Sequence, residues 1–271
     1  MQFYALKDNL PTLASHAEKQ KDYHCPECKS VVRVRSGPER QPHFYHLAHS
    51  SHCRLHQKSA THLQAQLAIM RLLPPGESTM ERQFPEISRI ADLAWEKKKI
   101  VFEIQCSPIS LDEASQRCSD YQKAGFSVIW ILHVRRFNRR KIGAAENFLR
   151  KIGAYYTNFD EKGYGEIFDQ FEICRGARRI FCGPRLCVNL AKPKAATLPE
   201  GDNIPYAIKA RTRWPLSFCG DLSERFLRER TASLYEIEKR FFTPHIPRSF
   251  LEKIKRLYLT FFRLALEKTM K

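Results

Sequence analysis

Hydrophobic and polar positions are most sharply patterned between Arg89 and Gln105, in RIADLAWEKKKIVFEIQ. Two short apolar runs flank the charged link EKKK, which predicts a β-hairpin. Strand side chains alternate faces, so Glu103 and Gln105 project together while Phe102 and Ile104 point the other way. Asp92 falls in the partner run, where the hairpin brings it opposite Glu103. Upstream, QFYAL (2–6) and VVRVR (31–35) read as strands, with GPERQP as the turn after the second. SATHLQAQLAIMRLL has Leu63, Leu67 and Met70 at helical spacing, Ser59 as its cap and Pro74-Pro75 as its stop. His62 lies in its first turn, beside the apolar stripe. MERQF (80–84) predicts a strand ahead of the hairpin. SPISLDEASQRCSDYQKAGF predicts a helix with Ser110 and Glu113 as a capping box, a buried stripe of Leu111, Ala114, Cys118 and Tyr121, and Gly125 as its end. VIWILHV is continuously apolar, as in a strand buried on both faces. The order helix, three strands, helix, strand implies a mixed α/β sheet flanked by helices.

An acid within an apolar run is unfavourable to bury unless it is paired or holds a cation. Asp92 and Glu103, converging from adjacent strands, are oxygen ligands suited to Mg²⁺. A second candidate metal site lies near the N-terminus. Cys25 and Cys28 form a C-x-x-C knuckle, and His43, His46, His49, His52 and Cys53 follow within one short stretch. The spacing is that of a small zinc ribbon with two ligands per knuckle. Five residues compete for the second knuckle; His46 and Cys53 are favoured, with His43 as the substitute. Four protein ligands leave no open position, so zinc here is expected to be structural. A redox role for the C-x-x-C is disfavoured because no thioredoxin-like βαβ pattern surrounds it.

Charge changes the picture next. The net charge is +17, and it is uneven. From Arg175 to Lys271 there are 21 Lys/Arg against 9 Asp/Glu, whereas the first 174 residues hold 25 against 20. A basic tail of this kind suits a polyanion, nucleic acid first and an acidic membrane surface second. Residues 135–141, RRFNRRK, add a basic run with one aromatic, suited to a phosphate-contacting edge. No run of about 20 apolar residues is present, which excludes a transmembrane helix. MQFYALKDNL lacks a signal-peptide pattern. Nine cysteines, an odd number, argue for a reducing cytoplasm with metal-bound or buried thiols rather than a disulfide framework. Cys174, Cys182, Cys187 and Cys219 match no common knuckle and are expected as buried thiols. AKPKAATLPEGDNIP reads as a loop, and LSERFLRERTASLYEIEKRFF and SFLEKIKRLYLTFFRLALEKTMK as basic amphipathic helices. The expected organisation is a zinc-ribbon-like module over 1–57, an α/β core over 58–150, and a basic, mainly helical region over 151–271.

Taken in order, these parts resemble the CoiA-like competence family. The residues that carry the likeness are Cys25-Pro26-Glu27-Cys28, His43-Phe44-Tyr45-His46, Cys53, Ser59 to His62, Ala91-Asp92, Glu103-Ile104-Gln105-Cys106-Ser107, Arg117 with Tyr121, and Ile129 to Leu132. The resemblance covers roughly residues 1–135. It implies a restriction-endonuclease-like fold of the PD-(D/E)xK kind and a Mg²⁺- or Mn²⁺-dependent nuclease acting on single-stranded or duplex DNA. It also implies a role in DNA uptake and recombination, alongside recombination proteins. Asp92 and Glu103 match the metal-binding acids, and His62 matches the helical His of the site. Gln105 stands where the superfamily commonly has Lys, a departure that removes a cation from the site. The alternative is a non-catalytic DNA-binding factor that assists recombination on single strands.

Overall fold

The computed structural model describes residues 1–242 apart from 9, 39, 49–52, 54, 56, 57, 196–203, 230 and 231, together with Lys255 and Tyr258. The chain divides into a large unit, Met1–Arg230, and a C-terminal unit, Thr231–Lys271.

The large unit opens with β1 (Tyr4–Lys7), β2 (Leu10–Leu13), β3 (Tyr23–His24), β4 (Val31–Gly37) and β5 (Arg40–His46). They form an antiparallel sheet in the order β2-β1-β3-β4-β5. Alternation along VVRVR turns Val32 and Val34 inward, where they meet Ala5, Tyr23 and Phe44. The turn expected over GPERQP is tighter than that. Pairing runs as far as Gly37 with Arg40, so Gln41 and Pro42 belong to a strand.

The next elements are α1 (Ala60–Leu72), β6 (Ser78–Phe84), β7 (Arg89–Trp95), β8 (Ile100–Gln105), α2 (Leu111–Lys123), β9 (Ser127–His133), α3 (Ala144–Ile152), β10 (Ala154–Thr157), β11 (Ile167–Arg175) and β12 (Arg178–Cys187). Seven of these strands make one mixed sheet, β12-β11-β10-β9-β8-β7-β6. The predicted hairpin is its β7–β8 pair, with Glu96–Lys98 as a 3-10 turn and Lys99 in the left-handed region at φ 53°. β8, β9 and β10 run parallel, because α2 and α3 return the chain between them; the remaining pairs are antiparallel. On one face α1 packs with Leu63 and Ile69 against Phe102, Ile104, Ile129 and Ile131. On the other, α2 and α3 pack with Ala114, Tyr121 and Leu149 against Val101, Trp130 and Leu132. Each large apolar side chain buried this way contributes roughly 1.5–3 kcal/mol.

The predicted helix signals operate as local physics requires. Ser59 Oγ accepts the His62 N–H at 3.2 Å, and Ser110 Oγ accepts the Glu113 N–H at 3.1 Å. Half of the expected capping box is redirected: the Glu113 carboxylate accepts from Arg117 and Arg89. Gly125 (φ 78°) ends α2, with the Phe126 N–H reaching back to the Tyr121 carbonyl at 2.9 Å. Leu111 departs from the expected buried stripe and is exposed, since it opens the helix before the helix settles on the sheet.

Beyond residue 150 the mainly helical expectation gives way. β10, β11 and β12 continue the central sheet across that position, because IFDQFEIC alternates with the period of a strand. Ala191–Ala195, expected as loop, lies in β13 (Asn189–Ala195), which pairs with β14 (Leu216–Cys219). Between them runs the short α4 (Tyr206–Lys209), and α5 (Leu222–Glu229) follows. The buried-thiol expectation also fails: Cys182 and Cys187 are exposed, since β12 is an edge strand, and Cys174 and Cys219 are half-buried. In the C-terminal unit the helix α6 (Ala232–Phe242) is described. The final predicted helix, 249–271, lies outside the described residues except for Lys255 and Tyr258. Among the described residues no helix is long and apolar enough to cross a membrane.

Candidate active site and metal cluster

In the N-terminal sheet, Cys25 leaves β3 into a tight turn closed by the Lys29 N–H on the Cys25 carbonyl at 3.0 Å, with Lys29 at φ 61°. This turn points Cys25 and Cys28 the same way. His46 ends β5, and Cys53 returns from the following segment. One ligand atom from each of the four lies within 4.8 Å of every other. Cys25 Sγ is 3.6 Å from Cys53 Sγ, and Cys28 Sγ is 3.2 Å from His46 Nε2. A tetrahedral zinc with Zn–S of about 2.3 Å sets its sulfurs roughly 3.8 Å apart. Three thiols and an imidazole at these separations can hold zinc. His43 is not among the four; its Nδ1 lies 2.8 Å from the Gln41 carbonyl. His49 and His52 lie outside the described residues.

The second site is a cavity of about 260 Å³, lined by Lys58, His62, Asp92, Glu103, Gln105 and Arg117 among others. All four residues singled out from the sequence for this site therefore face one space. The register Leu93 with Phe102 carries Asp92 and Glu103 in from adjacent strands, and both are buried. Asp92 Oδ1 is 2.8 Å from Lys58 Nζ and 3.0 Å from His62 Nε2, while Oδ2 accepts the Ile104 N–H at 2.8 Å. Burial alone would raise this carboxyl, but His62 and Lys58 hold it well below the usual carboxylate range. Gln66 donates to the Asp92 carbonyl at 2.6 Å and so fixes α1 on β7.

Glu103 is treated differently. Tyr121 Oη donates to Oε1 at 2.5 Å and Arg117 to Oε2 at 2.9 Å. Burial and the neighbouring Asp92 charge nonetheless push its carboxyl up to about 7, against the pull of Arg117 and Tyr121. Two buried acids with their ionisations pushed apart mark a place where negative charge is in excess. The Gln105 amide nitrogen is committed to Ser107, donating to its carbonyl at 2.9 Å and its hydroxyl at 3.1 Å.

Three participants were not picked out as site residues from the sequence. Lys58 is the most consequential. Its ammonium sits between Asp92 and Glu81, 3.3 Å from Glu81 Oε1. Glu81 reaches it from a local break in β6: the register runs unshifted from Met80–Leu93 to Arg82–Ala91 but skips Glu81, which adopts φ 53°. Its Oε2 is buried with no hydrogen-bond partner among the described residues. A lysine immediately before a helix cap carries no local signal for this role. Arg117 and Tyr121, by contrast, are four apart on α2 and so share a face, a spacing that the sequence displays openly.

Residues 58–160 match the nuclease-like domain of competence protein CoiA, and residues 8–56 match the N-terminal domain of the same protein. The two matches take in more than half of the chain, which belongs to the CoiA competence family. No curated protein and no solved structure matches it.

Proposed function

We propose that this chain is a divalent-metal-dependent DNA nuclease acting in the cytoplasm on DNA taken up for recombination. The observation that carries the reading is the meeting of Asp92 and Glu103, buried on adjacent strands, in one polar cavity. Their oxygens are the donor set that Mg²⁺ or Mn²⁺ prefers, and their mutual repulsion is what such an ion relieves. When bound, a divalent ion lowers the pKa of a coordinated water and offsets charge on the phosphate. Arg117 and Tyr121 fix the Glu103 carboxylate in orientation. Lys58 supplies the cation absent at Gln105, an ammonium held at the cavity wall to meet a phosphate oxygen. Gln105 orients rather than transfers a proton, since an amide does not titrate. His62 steadies Asp92 and presents its ring to the substrate side.

A second reading, a non-catalytic DNA-binding recombination factor, draws on one observation: Lys58 already supplies Asp92 with positive charge. Incubating the protein with labelled single-stranded and duplex DNA in Mg²⁺, in Mn²⁺ or with neither ion added separates the two. Cleavage is expected to need the ion and to fall by orders of magnitude in Asp92→Asn and Glu103→Gln. Binding without cutting in every condition would transfer the assignment to the second reading.

The Cys25, Cys28, His46 and Cys53 cluster is assigned a structural zinc. Metal analysis of protein purified without added zinc should read about one zinc per chain, because such sites supply folding energy directly. A wild-type stoichiometry near zero would remove the assignment.

A further inference from the structure

The run RRFNRRK, which the cavity chemistry does not use, is held in place with unusual thoroughness. It begins two residues past the end of β9, and β9 pairs in parallel with β8, Leu132 beside Gln105. The run therefore stands at the same end of the sheet as the cavity. Arg135 is close enough to oppose, with its charge, the burial that pushes the cavity-lining Cys106 thiol up to about 12.

Five of its seven residues are exposed cations: Arg135, Arg136, Arg139, Arg140 and Lys141. The other two face inward. Phe137 is buried, and Asn138, at φ 58°, donates its N–H to Glu146 Oε1 at 2.9 Å and its side-chain amide to Gln170 at 3.0 Å. Arg179, itself buried, donates a guanidinium N–H to the Arg139 carbonyl and its backbone N–H to the Arg140 carbonyl at 2.8 Å. The backbone of Lys141 pairs, as an isolated antiparallel β-bridge, with that of the exposed Arg178 on β12. Among the described residues none of these six surface cations has a carboxylate within ion-pair distance, whereas the arginines beneath them, Arg150 and Arg179, are fully engaged. A solvated loop needs no such anchoring, and ordering like charges side by side is unfavourable without a polyanion to meet them.

We infer that Arg135–Lys141, with Arg178, is a rigid arm that grips the phosphodiester backbone of DNA and leads it to the cavity. The inference rests on the nuclease reading for its ligand, but backbone grip is measured apart from cutting. Phosphate contacts of this kind position a strand without reading its sequence.

The test uses the full chain with neither chelator nor added Mg²⁺ or Mn²⁺, and fluorescently labelled single-stranded and duplex oligonucleotides titrated across a range of salt. Arg136→Gln with Arg140→Gln removes two cations from the arm and leaves every anchoring carbonyl in place. Lys97→Gln with Lys98→Gln removes two from the β7–β8 turn at the opposite end of the sheet. The arm variant should bind about tenfold more weakly and lose roughly 1.5 from the log–log salt slope, about 0.7–0.9 for each phosphate contact removed. The turn variant should stay within about twofold of wild type. Equal losses in both variants would show a diffuse charge effect and overturn the arm. So would wild-type binding by the arm variant at an unchanged melting temperature, or binding of the arm to anionic phospholipid vesicles in preference to either oligonucleotide. Since binding is measured without Mg²⁺ or Mn²⁺, a wild type that grips DNA through the arm but never cleaves it once either ion is added would sink the nuclease reading alone.

Discussion

Asp169 and Asp92 are buried acids on strands of the same sheet, and each is met by two basic side chains. Around Asp169 the circle closes. Arg211 engages both of its oxygens, Arg150 lies 3.3 Å from Oδ1, and the backbone N–H groups of Gln170 and Leu222 donate as well. Arg150 in turn meets Glu172 at 2.9 Å, Glu172 meets Arg179 at 2.5 Å, and Arg179 meets Glu146 at 2.8 Å. Around Asp92 the circle stays open. Its neighbour Glu103 is held uncomfortably close, Glu81 keeps a buried oxygen with no partner among the described residues, and the group borders a cavity of about 260 Å³. A saturated network stabilises and holds the arginine arm, while an unsaturated one keeps charge in reserve for a ligand.

The largest effect expected from this contrast is on stability. Asp169→Asn strands Arg211 and Arg150 with reduced compensation in a dry interior, and removing one member of a buried pair costs about 3–5 kcal/mol. The pH dependence should oppose that of Glu103. Asp169 is held at about 2 by Arg211 and Arg150 despite its burial. Its contribution is therefore present above about 4, the ordinary Asp value, and lost as pH falls toward 2. Glu103 is raised, so the folded state prefers it protonated: the stability it gives is full below about 4.5 and disappears as pH rises through about 7. A shift of that size corresponds to something on the order of 3 kcal/mol. Denaturant unfolding without added divalent ions checks Glu103 between pH 5 and pH 8 and Asp169 between pH 5 and pH 3. Glu103→Gln should flatten the decline from pH 5 to pH 8, and Asp169→Asn should be far less stable than wild type at pH 5 and pH 8 and should flatten the decline from pH 5 to pH 3. If the two variants lose stability alike, the distinction between scaffold and site collapses.

The same contrast explains how much could be read beforehand. The hairpin, the Ser59 and Ser110 caps, the Gly125 stop and the Cys25–Cys28 knuckle depend on neighbours a few residues away, and local alternation displays them. Asp92, Glu103, Gln105 and His62 were legible because an acid or amide in an apolar run stands out against its surroundings. Asp169 sits in an equally suggestive run, IFDQFEIC, yet its main partner Arg211 is 42 residues downstream, and nothing local couples them. β10, β11 and β12 escape a local reading for a related reason: their pairing is set by the sheet already formed, and arginines in β12 that look solvent-directed include the buried Arg179. Lys58 was invisible because its meaning depends on the left-handed backbone at Glu81 and on a strand still further along the chain.

The smallest expected effect is also the most specific, a rescue. If Lys58 provides the cation that Gln105 does not, Lys58→Met should remove metal-dependent cleavage. Adding Gln105→Lys should restore part of it, about tenfold above the single variant, because the new ammonium enters the same cavity from β8. Gln105 lies on the strand that carries Glu103 and shares its face, so the added lysine starts within reach of the same phosphate. A purely structural Lys58 predicts otherwise. In that case Lys58→Met leaves Asp92 and Glu81 short of a shared counterion, the melting temperature falls, and a lysine at 105 has no reason to recover cutting. Measuring melting and Mn²⁺-dependent cleavage in wild type, both single variants and the double variant completes the cycle. Recovery of cleavage without recovery of melting temperature assigns the cation to the site; recovery of neither returns Lys58 to the scaffold, beside Arg150 and Arg211.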